Sequence, residues 1–121
     1  MQALCLTAYT LTSALGTGLA PHLDALRSKR SGIVRKLWET LEQPMCIGEV
    51  AGVDELPVRA DLQRYDCRNN RLAQLGLEQD GFADAARAAI ARYGVERVGV
   101  FMGTSTSGIL SSEVAYRHRD A

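Results

Sequence analysis

The sequence carries no excess of either charge. Lys+Arg and Asp+Glu are both 14 in 121 residues. Nucleic acids and anionic membranes draw a basic face, so the balance argues against either as the main partner. A local basic stretch survives around Arg27, Lys29, Arg30, Arg35 and Lys36. Cysteines are few, at 5, 46 and 67, with wide spacing and no CxxC. That excludes a zinc-finger pattern and fits a reducing, cytoplasmic setting, with each thiol expected as a small buried hydrophobe. Histidine occurs only at 22 and 118, and neither has a carboxylate partner by motif. No apolar run approaches the roughly 18–20 residues of a membrane span. The amino terminus is apolar but lacks a basic region ahead of it, which makes it a poor signal peptide.

What is present suits one modest domain. Hydrophobic residues make up 46% and charged residues 23%, ordinary values for a soluble globular chain. Ala3 to Tyr9 mixes apolar residues with β-branched Thr, and the pattern predicts a strand. Thr10 to Gly18 is small and Gly-bearing and reads as a loop. Pro21 suits a helix first turn, and Leu19, Leu23 and Leu26 carry a helix to about Lys29. Ser31-Gly32-Ile33 reads as the helix exit and an extended turn. Val34 to Asp66, punctuated by Pro44 and Pro57, reads as irregular apart from a short strand at Met45 to Val50.

From Asn69 the helical period returns through Leu72, Leu75, Gln79, Phe82, Ala86, Ala89 and Tyr93. Gly81 interrupts it, so one kinked helix or two consecutive helices both fit. Asp80 and Asp84 lie near the start of the second half and Arg87 and Arg92 toward its end, as the helix dipole favours. Gly94 is a good stop. Arg97 to Met102 is a short apolar run without alternation, the pattern of a strand buried on both faces. Ile109 to Arg119 can form a helix. The succession of strands and helices indicates an α/β protein.

Between that last strand and helix lies Gly103-Thr104-Ser105-Thr106-Ser107-Gly108. Ligand contacts in α/β proteins gather at the carboxyl ends of strands, so three readings compete here. Phosphate binding at a helix N-terminus would want a Walker-type Lys-Ser/Thr or a GxGxxG, and Ile109-Leu110 follows instead. A serine nucleophile would want GxSxG, and the second glycine is misplaced. The third reading is structural: small hydroxyl residues let a loop pass close to backbone and satisfy its polar groups.

The stretch Val95-Glu-Arg-Val-Gly-Val-Phe-Met-Gly-Thr-Ser-Thr-Ser-Gly-Ile109 resembles the amino-terminal half of β-ketoacyl-acyl-carrier-protein synthases. Thr7 to Gly16 is similar to that family's first strand and turn, Ala25 to Ile33 to its helix exit, and Asn70 to Leu75 to the helix before its buried strand. The matches keep their order from about Leu4 to Arg117. Asp66 to Asn70 and the GTSTSGI wording most resemble members from aryl-polyene pigment clusters. The resemblance implies residues 1–121 as an amino-terminal fragment of a thiolase-like fold, a mixed sheet packed by helices that is incomplete in this chain. It implies decarboxylative condensation of acyl and malonyl thioesters, with acyl carrier protein as partner, a homodimer, and no cofactor or metal.

By the same resemblance the nucleophilic cysteine and both catalytic histidines lie beyond Ala121. Cys5, Cys46, Cys67, His22 and His118 match none of them, so no catalytic residue carries over. The loop does: Gly103, Thr104, Ser105, Thr106, Ser107 and Gly108 would wall the acyl pocket at the dimer interface, with Thr106 where fatty-acid synthases often place a larger apolar residue. Two other readings stay open, a non-catalytic chain-length-factor-like partner and a small stand-alone α/β binding domain. Independently of family, a buried strand at Val98 to Met102 wants neighbours on both edges and helices on both faces. A short chain with few strands cannot supply them. An exposed apolar patch and self-association are therefore expected.

Overall fold

The structure is a computed structural model, and it describes residues 3–37, 43–105 and 109–119. It is a mixed α/β arrangement with two small antiparallel sheets. In chain order the elements are β1 (Thr12–Ser13), β2 (Gly16–Thr17), α1 (Leu19–Arg27), β3 (Ile33–Leu37) and β4 (Pro44–Gly48). Then come a 3-10 turn (Ala60–Tyr65), α2 (Arg68–Leu77), α3 (Phe82–Tyr93), a second 3-10 turn (Val95–Arg97) and α4 (Ile109–Arg117).

The segment expected as a plain loop after Tyr9 holds a hairpin. Thr12 pairs with Thr17 and Ser13 with Gly16. It feeds straight into α1, whose entry is set by Gly18 at φ 84°. That conformation belongs to glycine, and a Cβ there would come 3.1 Å from the Asp80 carboxylate. α1 places Pro21 in its first turn, as the sequence suggests, and buries His22 and Ala25. The helical period after Asn69 resolves into two helices. Gly94, at φ 86°, ends the second.

The middle of the chain is more regular than its composition predicts. Ile33 to Leu37 is a strand, paired with β4 from Ile33 opposite Gly48 to Leu37 opposite Pro44. All five β3 residues are exposed, so no buried face imposed a two-residue alternation on the sequence. Residues 51–66 are held to α2 by side chains. Gln74 accepts from the Arg59 N–H at 3.0 Å and donates to the Pro57 carbonyl at 3.2 Å. Arg71 donates to the Asp54 carbonyl at 2.9 Å and to both oxygens of Asp66 at 2.6 and 2.7 Å. Val53 and Val58 are buried behind these clamps. With Ala25 they are the only buried apolar side chains among the described residues.

Two expected strands do not form. Ala3 to Tyr9 and Val98 to Met102 have no ladder partner among the described residues. Leu4 is 98% exposed and Phe101 96%, so Val98 to Met102 is the opposite of buried. Both segments have strand-like composition, but a strand needs a neighbour to satisfy its backbone groups and cover its side chains. The three thiols, expected inside, are also exposed. Cys5 lies on the first uncovered segment, Cys46 on the exposed β3–β4 hairpin, and Cys67 at the N-cap of α2.

Candidate functional site

Among the described residues, His22 is the one buried polar side chain. It sits one turn into α1, 4% exposed, with both ring nitrogens engaged. Nδ1 lies 2.6 Å from the Gly18 carbonyl, and Nε2 lies 2.7 Å from Ser13 Oγ. The carbonyl only accepts, which assigns the proton to Nδ1. Nε2 then accepts from the Ser13 hydroxyl. Ser13 Oγ in turn accepts the Leu15 N–H at 3.1 Å, across the turn of the β1–β2 hairpin.

Sequence reasoning found no partner for His22, because it looked for a carboxylate. The signal was local: a Ser-containing hairpin turn directly before the helix that carries the histidine. A serine within hydrogen-bond reach of an imidazole is the contact that activates a nucleophile. Here the hydroxyl already accepts a backbone N–H, and Ser13 lines none of the three clefts described below. The arrangement fastens the hairpin to α1.

Beside it a second set of contacts fixes the helix start. The Leu19 N–H donates to both oxygens of Asp80, at 3.1 and 3.0 Å. Thr10 Oγ1 donates to the same carboxylate at 2.9 Å, with the Gly76 carbonyl at 3.3 Å. Asp80 adopts φ 54° at the α2–α3 junction, a conformation that Asp and Asn tolerate better than most residues. It thus acts as an N-cap for α1 from 61 residues away, satisfying an orphan donor and placing negative charge at the dipole's positive end. The sequence placed Asp80 on its own helix; its role is on another.

Among the described residues, a cleft of about 600 Å³ lies between the 58–65 segment, α2 and the start of α3. Leu62, Tyr65, Ala73 and Leu77 form apolar wall, and Arg59 and Arg87 are at its edge. Both guanidiniums are spoken for. Arg59 bonds both oxygens of Asp61, at 3.1 and 2.6 Å, and Arg87 pairs with Asp84. The Arg59 pair holds Asp61 below the ordinary aspartate range and raises Arg59, chiefly through the hydrogen bonds between them. A smaller cleft of about 430 Å³ runs between Ile47–Val50 and α2, and a third of about 380 Å³ lies by Ala14, Gly32 and Glu49. The first two troughs can take an apolar body. No nucleophile with a base and charge-stabilising donors lines any of them.

The structure does not bring the predicted loop to these clefts. Gly103, Thr104 and Ser105 are exposed and line none of the three. Gly103 has open space where a side chain would stand, so the close backbone approach expected of the loop is not found there. Thr106, Ser107 and Gly108 lie outside the described residues. The basic residues Arg27, Lys29, Arg30, Arg35 and Lys36 are all exposed. Arg30 donates to the Leu15 carbonyl at 3.2 Å and Lys36 pairs with Glu49 at 2.5 Å. No group of three or more His, Cys, Asp or Glu among the described residues could hold a metal ion, and no helix there is long and apolar enough to cross a membrane.

Comparison with known proteins finds no matching family model, no matching curated protein and no matching solved structure.

Proposed function

We propose that the chain is part of a β-ketoacyl-acyl-carrier-protein synthase, the thiolase-like class of condensing enzyme, acting on acyl and malonyl thioesters in fatty-acid or polyene synthesis. The observation that carries this reading is the ordered run of family-like segments from Leu4 to Arg117, strongest at Val95 to Ile109. The exposure of Ala3 to Tyr9 and Val98 to Met102 is in keeping with it. In this reading both are strands of a larger sheet whose other members lie outside these residues.

The reaction moves an acyl group from carrier to a cysteine thiolate. Decarboxylation of malonyl-carrier then yields the carbanion that attacks the acyl thioester. The step needs a lowered thiol pKa, an oxyanion hole and groups that stabilise the enolate. In this reading those groups come from outside the chain, while Gly103 to Gly108 walls the acyl pocket. The carrier is acidic, and Arg27, Lys29, Arg30, Arg35 and Lys36 are the docking candidates by charge. Arg27, Lys29 and Arg35 are the best of these, since Arg30 and Lys36 have internal contacts.

Reading the source gene past the codon for Ala121 tests the proposal. It predicts an open frame that runs into a strand, a cysteine elbow and two later histidines. The same fold without the cysteine would turn the reading to a non-catalytic partner of a condensing enzyme. A stop codon there would overturn both and favour a stand-alone binding domain.

A further inference from the structure

The cleft between the 58–65 segment, α2 and the start of α3 is held in shape by α2. Gln74 bonds the Arg59 N–H and the Pro57 carbonyl, and Asn70 donates to the Tyr65 carbonyl at 2.7 Å. Both ends of the 57–65 segment are therefore fastened to one helix. Val58, at the first of these ends, is buried, but the larger apolar side chains of the cleft are not covered. Leu62, Tyr65 and Leu77 are 39%, 51% and 48% exposed. A fixed trough of about 600 Å³ with apolar walls falls within the range of small-molecule sites, about 300–1,000 Å³.

The charges around it select what fills it. The Arg59 and Arg87 guanidiniums are neutralised by Asp61 and Asp84. Glu78 is the remaining charged residue of the lining, and among the described residues its carboxylate has no hydrogen bond and no ion pair. It reaches Arg59 only through space. Three carboxylates against two guanidiniums leave one negative charge at the cleft. Arg64 stacks on the Tyr65 ring at 4.5 Å and does not line the cleft. Glu78 is also the C-cap of α2, and the last turn of that helix carries no basic residue. A helix has partial negative charge at its C-terminus, where a cation is the favourable neighbour. The carboxylate adds to that charge instead of offsetting it. The Glu78 end of the cleft thus lacks a cation on two separate grounds.

We infer that the cleft binds a small amphipathic organic cation, an ammonium carried on an apolar body. The body lies against Leu62, Tyr65 and Leu77, and the ammonium meets Glu78 at the C-terminus of α2. A neutral molecule with the same body gains from burial alone. An anion with that body meets a like charge. The inference rests on this cleft and not on the condensing-enzyme reading. It makes no use of Gly103 to Gly108, and the gene sequence past Ala121 does not decide it.

Isothermal titration of the 121-residue chain with octylammonium, octanol and octanoate, each below its micellar concentration, tests it. The three share an apolar body and differ in charge. Octylammonium is expected to bind tightest, octanol next and octanoate weakest. Glu78→Gln, at an exposed position, lowers octylammonium affinity by about two- to fivefold, the worth of an exposed ion pair, and leaves octanol unchanged. Glu78→Lys reverses the order of the two ions. Ala73→Trp fills the trough from an exposed helix position and removes the binding of octylammonium and octanol alike, with an unchanged far-ultraviolet circular dichroism spectrum. Octanol or octanoate binding as tightly as octylammonium overturns the proposal, as does a failure of all three to bind. So does an octylammonium affinity that Glu78→Gln or Ala73→Trp leaves as it was.

Discussion

Single side chains fix the amino-terminal third of the fold, and they do so over long sequence distances. Asp80 shows this most clearly. A carboxylate at the α2–α3 junction caps a helix that begins at Leu19, and it holds the Thr10 hydroxyl as well. Replacing it with Ala removes the acceptor for both groups and also puts a less tolerant residue at positive φ. Asp80→Ala is expected to cost about 1–3 kcal/mol in urea unfolding, from the lost cap and the strained backbone. Asp80→Asn keeps the positive-φ tolerance and one acceptor oxygen, and is expected to lose less than half as much. Equal losses would show that the cap is not what Asp80 provides. None of this was legible in the sequence, where Asp80 reads as a dipole partner of the helix that follows it. The same holds for His22: its partners are a hairpin hydroxyl and a carbonyl, and neither forms a sequence motif.

At the scale of elements, the helices could be read, and of the strands only β4, which falls on the short strand expected at Met45 to Val50. The apolar positions from Leu72 to Tyr93 repeat with the helical period, and Gly81 and Gly94 fall where the helices break. Helix signals are local, so the sequence alone carries them. β3 forms through a partner strand in an exposed hairpin, and no alternation marks it. The 51–66 segment has little regular structure, and Arg71 and Gln74 anchor it to α2.

That anchoring predicts a pH dependence. Arg71 holds Asp66 below the ordinary aspartate range, mainly through its paired hydrogen bonds, and the two side chains are only 19% and 28% exposed for Asp66 and Arg71 respectively. A carboxyl whose folded pKa is depressed binds more protons when unfolded. It therefore adds stability that is complete above the unfolded value of about 3.9 and is lost as pH falls through the lower folded value. Urea midpoints measured from pH 6 down to pH 2 should decline on the acid side, and Asp66→Asn should flatten that decline. An acid limb that is identical in the variant would remove Asp66 from the account.

The whole molecule is dominated by what it leaves uncovered. Three buried apolar side chains among the described residues are a small core for 121 residues, and the most apolar strand-like segments point into solvent. This lack of cover was partly legible beforehand: Val98 to Met102 reads as a buried strand, with too few other strands expected to bury it. Its hydrophobicity was legible, but its burial was not, because burial depends on groups that the described residues do not supply. The same reasoning explains the thiols. Cysteine composition suggests interior positions, yet Cys5 and Cys46 are both exposed.

The most direct test is amide hydrogen exchange of residues 3–9 and 98–102 in the 121-residue chain, followed by mass spectrometry. The account predicts fast, unprotected exchange in both segments, because neither has a ladder partner among the described residues. Clear protection of both would mean that the chain covers these segments itself and would contradict the account.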